Sequence, residues 1–65
     1  MCLGMTGVIT EVRDDCGVPM AVIDTDSAGT VTGCLLTCPE AGAGMTVLVH
    51  CGYVLRILEE AEDLA

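Results

Sequence analysis

The chain has 65 residues, carries ten Asp and Glu against two Lys and Arg, and has a formal charge of −8. That charge opposes approach to phosphate backbones and anionic lipid surfaces, and a single domain of this size gains only about 3–5 kcal/mol from its core before a metal, partner or second copy is needed. Hydrophobic residues make up 52% of the sequence, yet there is no Phe or Trp and only Tyr53, so the core must come from Val, Ile, Leu, Met and Ala, and the stacking aromatics of a nucleic-acid-binding barrel are missing.

Part of the negative charge is a tail effect, since Glu59, Glu60, Glu62 and Asp63 lie in the last seven residues. No basic segment joined to a long apolar run opens the chain, which reads as neither a signal peptide nor a spanning helix. A cytoplasmic protein is expected. Five cysteines, Cys2, Cys16, Cys34, Cys38 and Cys51, are many for this length. Their odd number and the expected compartment favour thiols over a disulfide framework.

From Gly7 to Val12, Val8, Thr10 and Val12 alternate with Ile9 and Glu11, the period-two pattern of a half-buried strand. Arg13-Asp14-Asp15-Cys16-Gly17 supplies turn chemistry. Val18-Pro19-Met20 then leads into a second strand over Ala21-Val22-Ile23-Asp24, with Pro19 at an edge or at the start of the strand. Asp26-Ser27-Ala28-Gly29 signals another turn, and the β-branched run from Thr30 to Leu36 predicts a third strand. Cys38 to Gly44 reads as a loop. Met45 to His50 gives the clearest strand, with Val47, Val49 and Cys51 on one face and Leu48 and His50 on the other. Tyr53 to Ile57 makes a fifth strand, and Leu58 to Leu64 reads as a short helix too small to stand alone.

Five short strands divided by Gly-bearing turns predict an all-β fold: a small five-stranded OB-like barrel over about residues 4–57 with a short C-terminal α-helix over about 58–65. The chain reads as one domain over 1–65, with no repeat or linker.

Few side chains carry chemistry. Cys34 and Cys38 form a C-x-x-x-C pair, but four residues of extended chain separate their positions by about 13 Å, too far for a disulfide or a shared metal unless the chain turns at Thr37. Two small buried thiols are the simpler reading. Cys51 alternates with Val47 and Val49 and is expected in the core, while Cys16 is expected to be exposed and incidental. No Ser-His-Asp set, P-loop or zinc-type C-x-x-C is present, and Gly42-Ala43-Gly44 is too short for a nucleotide fingerprint. An enzyme acting alone is not expected.

Cys2 and His50 remain. Cys2 stands at the chain start, where a thiol has no core to join. If Met1 is removed, a free amine joins its sulfur as a second donor. His50 is the sole histidine and closes the clearest strand, where a histidine is more often a surface residue than a ligand. In an OB-type barrel, however, the first and fourth strands are antiparallel neighbours, so the start of one meets the end of the other. A thiolate and an imidazole would then share one rim, a soft donor pair suited to iron or another transition metal.

Met1-Cys2-Leu3-Gly4-Met5-Thr6-Gly7 and Val47-Leu48-Val49-His50-Cys51-Gly52-Tyr53, followed by the acidic Glu59-Glu60-Ala61-Glu62, resemble the HypC/HupF/HybG family of [NiFe]-hydrogenase maturation chaperones. The resemblance implies an OB-like barrel with a C-terminal helix. It also implies that Cys2 and His50 contact an iron Fe(CN)2CO fragment carried as cargo, and that the protein binds a HypD-type partner and the immature hydrogenase large subunit. Thr6 stands where the family usually has proline, which relaxes the start of the first strand. Cys51 stands where the family usually has valine, in keeping with a core position.

Two other functions fit the sequence: a small protein-interaction barrel without metal chemistry, and a thiol redox or metal-binding protein using Cys34 and Cys38. Cyanide and carbonyl bands in the infrared spectrum of an anaerobic partner complex separate the first of these from a chaperone carrying iron. Comparing thiol counts in native and denatured protein tests the second. The acidic surface also predicts a partner with a basic docking patch, whose association slows as salt rises; a stopped-flow association rate that ignores salt would remove that surface from the interface.

Overall fold

A computed structural model describes residues 4–59. The strands are β1 (Met5–Asp15), β2 (Val18–Thr25), β3 (Gly29–Cys34), β4 (Thr46–His50) and β5 (Tyr53–Glu59). They close into a barrel in the order β1, β2, β3, β5, β4 and back to β1. This is the all-β, five-stranded OB-like order expected. Every pairing is antiparallel except β3 with β5, a parallel contact through one register pair, Cys34 with Tyr53.

The alternation in β1 resolves in favour of its second face. Ile9 is 1% exposed and Gly7 is buried, whereas Val8 is 41% and Val12 44% exposed. A register shift between Ile9 and Glu11 makes Thr10 the extra residue of a bulge, and its hydroxyl donates to the Val22 carbonyl at 3.2 Å. Beyond the bulge, β1 and β2 continue as a ribbon to Asp15 and Val18, with Pro19 tolerated opposite Asp14 in this peripheral stretch.

Ile9, Ala21, Ile23, Leu35, Cys38, Ala41, Val47, Val49 and Val54 form the core, with Met5, Val31, Met45 and Ile57 packed against it. Small branched side chains fill a narrow barrel without aromatics because the backbones come close. A Cβ built on Gly7 would lie 2.6 Å from Ile23 Cγ2 and 2.8 Å from the Asp24 carbonyl oxygen, so no side chain fits there.

The loop between β3 and β4 closes the core by successive turns. The Cys38 N–H donates to the Leu35 carbonyl at 2.9 Å and the Ala41 N–H to the Cys38 carbonyl at 3.2 Å, which turns Leu35, Cys38 and Ala41 inward. The loop is stitched to β1 by Ile9 N–H to the Met45 carbonyl (3.0 Å) and Gly44 N–H to the Ile9 carbonyl (2.8 Å). In the hairpin between β2 and β3, the buried Thr25 hydroxyl donates to the Gly29 carbonyl at 2.7 Å and accepts from the Ala28 N–H at 3.0 Å.

Three sequence expectations are corrected. The third strand ends at Cys34, because the Leu35 N–H turns to the Pro19 carbonyl at 2.9 Å and leaves Leu36 exposed. Leu58 and Glu59, expected to begin a helix, continue β5, where Glu59 finds a partner in Thr46 of β4. The rest of that expected helix, 60–65, lies outside the described residues. Cys51, expected in the core, is exposed; the two-residue turn that carries it breaks the alternation after His50.

The crowding at Gly7 yields a measurable consequence. Gly7→Ala is expected to cost about 1–3 kcal/mol by overpacking against backbone, read as a lower urea midpoint at unchanged slope. A midpoint equal to wild type would show that β1 does not approach β2 as closely as described.

Candidate functional site at the end of the fourth strand

The site begins with a register. Met5 pairs with Val49, Thr6 with Leu48, Gly7 with Val47 and Val8 with Thr46, so β1 starts where β4 ends. Gly4, the first described residue, packs so closely there that a Cβ on it would lie 2.9 Å from Leu48 Cδ1 and 3.2 Å from the Val49 carbonyl oxygen. The chain therefore reaches the His50 end of β4 from its own N-terminal side. Cys2 itself lies outside the described residues.

His50 is half-buried and pairs with Tyr53 across the hairpin of β4 and β5. Two residues, Cys51 and Gly52, make the turn, with φ of 55° and 80°. Positive φ at both central positions is the signature of a type I′ turn, the hairpin turn whose twist matches that of the strands and which favours Asn-Gly. The hairpin of β1 and β2 uses the same dipeptide: Cys16 and Gly17 have φ of 53° and 87° between the paired Asp15 and Val18.

The β4–β5 turn is held from a third strand as well. The Cys34 N–H donates to the Gly52 carbonyl at 2.8 Å, and the Thr37 hydroxyl donates to the Val54 carbonyl at 2.6 Å. Within this frame the Cys51 Sγ lies 3.9 Å from His50 Nε2. A thiol and an imidazole thus sit together at the rim, both within reach of solvent. The two groups are neighbours in sequence; among the described residues, no group of three or more His, Cys, Asp or Glu is placed to hold a metal.

The remaining cysteines separate by environment. Cys16 is exposed at the far hairpin. Cys34 and Cys38 are free thiols in or beside the core, in keeping with the simpler sequence reading. Burial pushes the Cys38 thiol up, the Glu40 carboxylate pushes it further, and a backbone hydrogen bond at Ile57 partly opposes them. Cys38 is therefore a poor nucleophile and a poor ligand at neutral pH.

Sequence reasoning missed Cys51 because it extended a period-two count one residue past the strand. The sign that the strand ends is present in the sequence: Cys51-Gly52 repeats Cys16-Gly17, a turn dipeptide. A β-alternation cannot pass through a type I′ turn, whose positive φ values reverse the chain.

Two measurements check this placement. Asparagine adopts the left-handed conformation readily, so Cys51→Asn is expected to raise stability by about 0.5–1 kcal/mol; a loss of several kcal/mol, as from a core cavity, would put Cys51 back inside. In a Cys2→Ser background, a thiol reagent is expected to modify Cys16 and Cys51 rapidly and Cys34 and Cys38 only on unfolding. Protection of Cys51 equal to that of Cys38 would contradict the exposed turn.

Among the described residues no helix is long and apolar enough to cross a membrane. Neither curated proteins nor solved structures yield a match to the chain. The HupF/HypC family matches it over residues 1–65. The match extends over both segments, Met1 to Gly7 and Val47 to Tyr53, on which the resemblance rests, and so over the antiparallel meeting of β1 with β4 and the strand-end His50. The chain belongs to the HupF/HypC family, and with it to the chaperones of hydrogenase maturation.

Proposed function

We propose that the protein is a non-enzymatic assembly chaperone that receives an iron Fe(CN)2CO fragment as cargo at Cys2 and His50. It scaffolds or carries this cargo while binding a HypD-type partner and the immature hydrogenase large subunit. The observation that supports this reading most strongly is the Met5 to Val49 pairing. Gly4 stands beside the end of β4, and Cys2 is two residues earlier, so its Cα can lie no further than about 7 Å from that of Gly4. A soft thiolate and a neutral imidazole make a donor pair suited to iron.

In this reading each residue has one task. His50 is the fixed donor, because its strand is paired on both sides, with β1 and with β5. Cys2 is the donor on the tether. The thiolate supplies charge and polarisability, and the imidazole supplies a neutral nitrogen whose direction the hairpin sets. The partner's contacts complete the site during transfer, so release is governed by docking and the chaperone has no bond to make or break in its own backbone.

Replacing Cys2 with Ser and His50 with Ala tests the proposal. Cys2→Ser is expected to abolish hydrogenase maturation, and the cyanide and carbonyl infrared bands of the anaerobic partner complex should disappear. His50→Ala is expected to lower cargo retention at least about tenfold, since even changes outside the first ligands commonly cost that much. Wild-type maturation and partner binding by both variants would show that the cargo is held elsewhere.

A further inference from the structure

Cys51 is the one exposed thiol among the described residues that has an imidazole beside it. Its Sγ lies 3.9 Å from His50 Nε2. Metal to nitrogen lengths of about 2.0 Å and metal to sulfur lengths of about 2.3 Å put two ligands of a tetrahedral ion about 3.5 Å apart. The separation found is only about 0.4 Å longer than that edge, a difference that a small rotation of either side chain removes.

Cys16 serves as an internal control. It shares the dipeptide, the turn and the positive φ of Cys51, and it is also exposed. What it lacks is the imidazole: a hard carboxylate, Asp15, precedes Cys16, whereas His50 precedes Cys51. Turn geometry and backbone strain therefore do not set Cys51 apart. The imidazole does, together with Gly4, which packs against Leu48 and Val49 at the same end of β4.

We infer that Cys51 is a third donor of the rim site. The chain would then offer two thiolates and one imidazole, Cys2, Cys51 and His50, to a thiophilic transition-metal ion or iron fragment. The inference rests on the proposed pairing of Cys2 with His50 and adds a ligand from this chain's own turn. Two soft sulfurs and one nitrogen leave a coordination position open for the cargo's other ligands or for a partner's donor. Each thiol gives up its proton as its sulfur binds, with no change in oxidation state.

Cobalt(II) added anaerobically to the full-length reduced protein is the probe, because its near-ultraviolet sulfur-to-metal absorbance grows with the number of thiolates bound. Cys51→Asn, which suits the turn, is expected to retain the wild-type circular dichroism, lose about half of that absorbance as two thiolates fall to one, and bind more weakly. Cys16→Asn should leave absorbance and affinity unchanged. His50→Ala should shift the visible ligand-field bands.

A Cys51→Asn protein with wild-type absorbance and affinity would overturn the inference. If Cys2→Ser nevertheless lost the absorbance, the Cys2 and His50 reading would stand alone. Loss in Cys51→Asn with none in Cys2→Ser would support the third donor and remove Cys2. Equal losses in Cys16→Asn and Cys51→Asn, or no cobalt binding by wild type, would overturn the inference.

Discussion

The pairing of β1 with β4 is the interaction on which the rest of the structure depends. Barrel closure elsewhere is thin, since β3 and β5 share one register pair. The β1–β4 ladder contributes four pairs, and β1 also carries the long ladder to β2. β1 can serve both neighbours because it is slender where they approach: Gly7 has room for no Cβ, and Ile9, two residues on along the same face, drives into the core. The same Ile9 exchanges backbone hydrogen bonds with Gly44 and Met45, so the loop that covers the core is fastened to this strand too. Closing the barrel and bringing Gly4 to the His50 end of β4 are one event. A chain that failed to close would lose both its core and the approach of Gly4 to that end of β4.

Much of this was legible in the sequence, and what was not has specific physical causes. Five strands followed from period-two stretches and Gly-bearing turns, and the β1–β4 neighbourhood followed from the barrel order those strands implied. Val47 and Val49 lie inside, on the face their alternation predicts. Alternation alone could not say whether Val8 or Ile9 faced the core, because both are apolar and branched; the Thr10 bulge and the crowding at Gly7 decide it. Leu58 and Glu59 read as helical from composition, yet the tertiary partner Thr46 holds the second of them in β5, local preference yielding to a ladder. Cys51 was misplaced because hydrophobicity and period agreed with the core, while the opposing sign was a dipeptide whose meaning depends on the backbone. The separation of Cys51 from His50 was not legible at all, since adjacent residues on an ideal strand point to opposite faces.

That separation exists because the turn is held rigidly at some cost. A non-glycine residue in the left-handed region costs about 1–2 kcal/mol, and this small domain bears the cost twice, at Cys16 and at Cys51. The two turns are supported differently. Beside Cys16 the support is local, an N–H of Gly17 donating to Asp14 Oδ2 at 3.2 Å. Beside Cys51 it comes from distant segments, through Cys34 to the Gly52 carbonyl and Thr37 to the Val54 carbonyl. A turn fixed by local bonds keeps its shape when its ribbon moves, but the directions of its side chains relative to the barrel move with the ribbon. Fixed by bonds from β3 and the loop after it, the β4–β5 turn keeps His50 and Cys51 oriented against the barrel itself. The directions in which His50 and Cys51 present their side chains at this rim are therefore a property of the whole fold.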